Sequence, residues 1–355
     1  MNTTEKDFNL KYKDYILNKK YFLLSSLILT LIIFIISISL GAVRIPIHEV
    51  ISAFTGNSIS EETYIIIRDV RLPQACAALI AGIALSLSGV AMQAVLKNPL
   101  GSPFTLGLSH AAAFGAAMAV IIFGTGMMTS GISGSIVINN PYITSAFAFL
   151  FCMTATGLIL GISNLKSGQP ETIVLAGIAI GSLFTAATMA LQYFADDTQL
   201  ASIIFWTFGD TGRAGWNEII IMLIPTITAL VYFQKNSMDY NAISLGDEVA
   251  HGLGINVKRK RLTGMVISSL VTAVVVSFLG VIGFIGLISP HIARMLIGGD
   301  HRYLIPASCI TGAAILLCAD TAARMIMAPF VIPVAVLTSF IGAPLFLFIL
   351  FRNKL

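Results

Sequence analysis

The chain has 355 residues, 56% of them hydrophobic and 11% charged, with a net charge of +4 and a mean hydropathy of +0.89. Soluble domains carry about 25% charged residues, and a water-soluble chain of this size needs a polar exterior that this composition does not supply. Lipid removes that need. It requires instead that backbone polar groups be satisfied within each span, and the long, unalternating apolar runs select helices over a barrel.

Residues 1–20 are polar and include Lys11, Lys13, Lys19 and Lys20. They read as a cytoplasmic segment before an anchored helix at 21–41, with no small-residue cleavage site. Residues 42–70 form a polar outer stretch with a helix start at Pro46. Further spans are expected at 71–96, 104–124, 142–163 and 171–194. Residues 196–213 suit an outer interfacial helix with Trp206 at headgroup depth. Spans at 215–234, 262–282, 288–298, 304–320 and 331–351 complete ten. The eighth is short and is expected to begin earlier, within 280–286. The expected fold is thus all-α, a polytopic bundle of about ten transmembrane helices with both termini cytoplasmic, residues 21–355 forming one domain.

Charge placement supports that count. With both ends inside, only Arg44, Arg68, Arg71, Arg213 and Arg324 of the 21 Lys and Arg residues fall outside, the bias expected of a cytoplasmic membrane protein. The pairs Gly157/Gly161 and Gly177/Gly181, and the row Gly82, Ser86, Gly89, suit close helix packing. Pro344 predicts a kink. The four cysteines lack metal-ligand spacing and read as small apolar residues.

Several functions are disfavoured. There is no P-loop, so the chain is no ATP-driven pump by itself, and no cofactor is expected to bind it. Leu316 to Asp320 resembles a Walker B strand but reads as a helix end reaching the outer surface. The five histidines form no metal cluster, and no nucleic-acid partner is expected. Acidic residues sit in loops and at helix ends, against an ion-coupled secondary transporter working alone, which stands as the alternative. For a membrane-embedded enzyme, His291 near Arg294 and Asp300 is the nearest approach to a catalytic cluster. Ser289 and Pro290 read instead as a cap and first helical residue.

The longest inner loop, 235–261, contains within about 240–256 the run Leu245, Gly246, Asp247, Glu248, Val249, Ala250, His251, Gly252, Leu253 and Gly254. The two acids suit a first helical turn. Leu245, Val249 and Leu253 repeat at i, i+4 and i+8 as one apolar stripe, and the glycines end the helix. This stretch resembles the coupling loop of the iron-siderophore, cobalamin and haem importer permeases, the type II ATP-binding-cassette importer family. Gly283 to Arg294, Gly299 to Arg302 with Leu304 and Pro306, Ala319-Asp320 with Ala323-Arg324, and Ile341 to Pro344 resemble further motifs of that family. So do Arg71-Leu72-Pro73, Gly89 to Gln93 and Lys97 to Leu100, in order from about residue 40 onward.

The resemblance implies a permease subunit without its own ATPase site, paired with a second permease chain, identical or homologous. Separate ATPase subunits and an extracytoplasmic substrate-binding protein would be its partners. It implies ATPase coupling through loop 245–254, with Lys258 to Arg261 fixing the next helix at the interface. Arg71 and Arg324 would dock acidic residues of the binding protein, helped by Arg68 where Gln74 replaces a second family arginine. Asn98 and Leu100 would belong to the inner gate, with Met92 and Gln93 either facing the pathway or packing. The implied cargo is an iron-siderophore complex, cobalamin or haem.

Overall fold

The computed structural model describes residues 3–41, 43–55, 60–128, 136–138, 141–165, 169–328 and 330–352. Lys166 and Lys354, two of the basic residues counted as inside, lie outside them. Helix α1 spans Thr3–Ser39, continuous across position 20. At 1.5 Å per residue it is about 55 Å long, well beyond the ~30 Å hydrocarbon core, so one end must project from the bilayer. Lys19, in the N-terminal part, is buried and lies 5.1 Å from the Tyr303 ring centre.

Helices α2 (Ile47–Thr55) and α3 (Glu61–Ile65) follow. Ser60 caps α3 by accepting from the Thr63 N–H, and one wide π turn, Ile66–Arg71, leads into α4 (Leu72–Leu96). Next come α5 (Leu108–Phe123), a short antiparallel pair of β1 (Gly126–Met128) with β2 (Ile136–Ile138), α6 (Pro141–Leu165) and α7 (Pro170–Phe194). Helices α8 (Asp197–Thr207), α9 (Trp216–Lys235), α10 (Ser237–Leu245) and α11 (Asp247–Gly252) precede the last four. These are α12 (Val257–Leu279), α13 (Ile285–Ile297), α14 (His301–Met325) and α15 (Val334–Arg352).

Seven helices among the described residues are long and apolar enough to cross a membrane, and three shorter apolar helices, α5, α13 and part of α15, stand where the other three spans are expected. The chain is a multi-pass helical membrane bundle.

Helix α4 is its axis: 83% of the most apolar window in Glu61–Leu96 is buried, against 22% for Lys13–Ser39. It packs against α12, α13 and α14. Its alanines, serines and glycines let those backbones approach closely, which is how helices associate in lipid. A Cβ on Gly89 would fall 1.7 Å from the Gly286 carbonyl oxygen, and one on Gly82 would fall 2.5 Å from that of Gly312. Gly177 and Gly181 abut Leu106 and Gly107, whereas Gly157 and Gly161 have nothing within 4 Å. Gly89→Val should therefore abolish the monodisperse folded peak in detergent, because the obstacle is main chain. Gly157→Ala should be neutral or raise stability by about 0.5–1 kcal/mol. Size-exclusion profiles and thermal melts check both.

Three expectations are corrected. Trp206 is 3% exposed, so its ring packs inside the protein rather than facing lipid headgroups. Its helix is held by a capping box of Asp196 with Gln199 and, at the far end, by Arg213, which donates to the carbonyls of Phe205, Trp206 and Phe208. Asp320 is 2% exposed, so the Leu316–Asp320 run ends inside the bundle rather than on its outer surface. Ser289 and Pro290 lie inside helix α13 rather than at its cap and first position: the helix begins at Ile285, after Phe284 at φ +65°, within the stretch 280–286 where the span was expected to start.

Candidate functional site

The loop between α9 and α12 folds as two short helices. Gly246, at φ +135°, separates α10 from α11 in a backbone conformation that L side chains rarely adopt. Leu245, Val249 and Leu253 are 75%, 46% and 67% exposed, while Ala250 is fully buried and seats α11 on the bundle. The apolar stripe is thus not on one continuous helix, as the i, i+4, i+8 spacing suggests: Leu245 ends α10. All three side chains nevertheless remain uncovered.

Polar ties hold this pair of helices to the bundle. Asp239 pairs with Lys260 at 2.7 Å. The Asn241 amide donates to Asp300 Oδ1 at 2.8 Å and accepts the His301 N–H at 2.8 Å. Asp247 Oδ1 meets Lys97 Nζ at 2.7 Å and Arg261 Nη2 at 3.2 Å. Burial would raise the Asp247 carboxyl, but the Lys97 hydrogen bond and the Arg261 charge outweigh it and hold the group below the usual carboxylate range. At Asp300, burial is likewise outweighed, by hydrogen bonds from Arg302 and Asn241, and the carboxyl is brought to about 2. In the basic cluster, Lys258 and Arg259 are exposed, as an interfacial role requires. Arg261 is instead buried, its Nε donating to the Val95 carbonyl at 2.8 Å.

The turn expected at the inner gate begins where α4 ends. Lys97 closes the helix at φ +49°. Asn98 Oδ1 accepts the Leu100 N–H at 2.9 Å, the Gly101 N–H bonds the Asn98 carbonyl at 2.9 Å, and Thr105 donates to the Leu100 carbonyl at 3.1 Å. Leu100 is 40% exposed. Met92 is fully buried, and Gln93 donates to the Leu287 carbonyl while accepting from Arg294, both at 3.2 Å. Of their two expected roles, packing is the one observed.

At the opposite end of α4, Arg71 and Arg324 converge. Both donate to the Leu40 carbonyl, at 3.0 and 2.9 Å. Arg324 also bonds Asp320 Oδ2 at 3.0 Å and Ser37 Oγ at 2.8 Å. Asp320 Oδ1 accepts from Gln74 at 3.0 Å and from the Thr211 hydroxyl. The glycine at 41 makes room for the Arg71 guanidinium, which a Cβ there would overlap. Arg71 and Arg324 are only 8% and 4% exposed. Neither offers the free surface fork expected for docking. Arg68 is exposed and lies against the Tyr64 ring. Gln74 satisfies Asp320 without adding a third cation to a buried site with one carboxylate.

A model of the FecCD transport family matches residues 29–352. A protein of Methanocaldococcus jannaschii named as an ABC transporter permease is 48% identical over 346 residues, covering 98% of each chain. The hemin transport system permease of Yersinia pestis is 34% identical, covering 92% of this chain and 94% of its own. A solved structure titled as an inward-facing metal-chelate type ABC transporter superposes with a TM-score of 0.81 at 29% identity, covering 94% of this chain and all of that one.

The chain belongs to the FecCD transport family. It is the membrane-spanning permease subunit of an ATP-binding-cassette importer, a transport component.

Sequence reasoning did not foresee two features of this FecCD-family chain. One is the set of ionic contacts from Asp247 to the end of α4, residues distant in sequence with no shared periodicity. The other is a pair of cavities. One, of about 450 Å³, lies between Phe104–His110 and α7; the other, of about 400 Å³, lies among α13, α14 and α15. Phe104 lines the first and Phe284 the second, with ring centres 6.2 Å apart. The break before α13 is the one sequence signal for this, as Gly280 and Gly283 flank it.

Proposed function

We propose that this permease works beside a second permease chain, identical or homologous, in the cytoplasmic membrane. Its ten helical passes leave both termini inside. Separate ATPase subunits bind ATP and Mg, since this chain carries no P-loop. An extracytoplasmic binding protein delivers the cargo, a ferric siderophore or, failing that, cobalamin or haem. The hemin permease relative and the metal-chelate type structural neighbour support that class of cargo. The observation that carries the reading is the uncovered apolar triplet Leu245, Val249 and Leu253 on helices tied rigidly to the bundle. That is what a lever seated in a partner's groove requires. The turn at Asn98 and Leu100 would gate the inner end of the pathway, and the two cavities would line it.

The test is uptake into proteoliposomes holding the permease, its ATPase and its binding protein. Labelled ferric siderophore, haemin and cobalamin are the probes. Uptake of one of them should require internal or external ATP on the ATPase side and no ion gradient. Uptake driven by a proton or sodium gradient alone, without ATPase, would establish the secondary-transporter alternative instead.

With Arg71 and Arg324 internal, docking of the binding protein would fall first to Arg68. Arg68→Glu should weaken binding-protein affinity at low salt by about five- to tenfold and by less at high salt, as for a rim charge. Arg71 would act by shaping the surface from beneath. Affinity titrations at two ionic strengths check this; an unchanged low-salt affinity would remove Arg68 from the docking surface.

A further inference from the structure

Lys97 is one of two non-glycine residues among the described residues with positive φ. Such backbone is uncommon for a residue with a Cβ and persists where the surroundings over-determine it. Here the last turn of α4 supplies part of the constraint: the Lys97 N–H bonds the Ala94 carbonyl at 3.3 Å and the Asn98 N–H bonds that of Gln93 at 3.2 Å. The rest comes from outside the helix. The Lys97 ammonium sits 2.7 Å from Asp247, the first residue of α11. The same carboxylate holds Arg261, which in turn holds the Val95 carbonyl. The start of α11 therefore grips the end of α4 twice, directly at Lys97 and through Arg261 at Val95. The turn Asn98–Leu100 follows at once.

We infer that Asp247, Lys97 and Arg261 form an ionic clamp through which movement of α11 is passed to the turn at Asn98–Leu100. The inference rests on the coupling and gate roles proposed above. The other ties of the loop run elsewhere: Asp239 to Lys260 on α12, and Asn241 to Asp300 and His301 at the start of α14. Of these three ties, the Asp247 set alone reaches α4. Its exposure also separates it from a permanent anchor. The side chains of Lys97 and Asp247 are 32% and 41% exposed, whereas those of Arg324 and Asp320 are 4% and 3% exposed. Water competes at the first pair, so it can open and re-form in a cycle; the second is sealed. Lys97 is in this sense a positioning residue, acting through the turn that follows it.

The experiment uses the assembled importer in inside-out vesicles, with Leu100→Cys as a reporter and Cys318→Ser to remove an exposed native thiol. The readout is the rate of labelling by a sulfonated, membrane-impermeant maleimide, with and without a non-hydrolysable ATP analogue. Nucleotide should change the rate in this background. Lys97→Asn removes the charge yet tolerates left-handed backbone. It should cut that response about fivefold or more while the ATPase still co-purifies. Asp247→Asn should cause a similar loss, and the double variant should add little to either. A full response in Lys97→Asn, or additive losses, would overturn the clamp. No nucleotide response with Leu100→Cys alone would overturn the gate role and the clamp together. The coupling surface is scored separately, by whether Val249→Asp loses the ATPase.

Discussion

Val249→Asp should leave the permease folded and inserted but deprive it of its ATPase. In the isolated chain Val249 is 46% exposed and its neighbour Ala250 carries the contact with the bundle. A surface substitution of this kind changes stability by only about 0.5 kcal/mol either way. Once α11 is seated in a groove of a partner, the same position is desolvated. An unpaired carboxylate there costs on the order of 2 kcal/mol or more, at least about thirtyfold in affinity. Co-purification of the ATPase and permease-stimulated ATP hydrolysis should both collapse, while the thermal melt of the permease alone stays where it was. Val249→Ala should give a weaker version of the same loss. Normal transport by Val249→Asp would sink the coupling assignment.

Asp320→Ala should be the most destabilising single change at the other end of the molecule. Asp320 is the carboxylate that neutralises Arg324, and it also accepts from Gln74 and Thr211, all in a buried site. Its removal leaves Arg324 charged and buried, with Arg71 sharing the same Leu40 carbonyl. Breaking a buried pair in this way costs about 3–5 kcal/mol, whereas exchanging both partners for apolar residues is often near neutral. Asp320→Ala should therefore lower the detergent-solubilised melting temperature substantially, and adding Arg324→Met should recover part of the loss. If the single variant melts with the unsubstituted protein, the network is not a stabilising element. If the double is worse than the single, Arg324 owes its place to Ser37 and Leu40 rather than to Asp320.

These two sites differ in how much of them was legible beforehand. At the loop 245–254 the sequence carries local chemistry: acids where a first turn wants them, glycines where a helix must stop, and three apolar residues at regular spacing. All three proved exposed, though Gly246 splits the helix that the spacing suggests. At the other end of α4 the same reasoning placed Asp320 at the surface, and it is buried, as are Arg71 and Arg324, which the family resemblance assigned to docking. A charged residue at the end of an apolar run reads as surface, because burial of a lone charge is costly. Here each charge has partners drawn from α1, α4, α14 and the short turn at 211–213, and no local pattern announces that meeting. Trp206 was misread for a related reason, since amphipathic rings favour the interface in general but this one is covered by packing.

The amino-acid sequence by itself determined that this protein lives in lipid and is built of helices, because hydropathy and run length act locally and have few physical solutions. It also determined the order of the spans and, through a series of short motifs, the FecCD family. Which faces of those helices are shared was decided only by the tertiary structure. That level made α4 the axis through main-chain contacts at its glycines, sealed Asp320 among its partners, and brought Lys97 to Asp247. Contacts of that kind depend on where separate helices cross, and no spacing along the chain encodes the crossing.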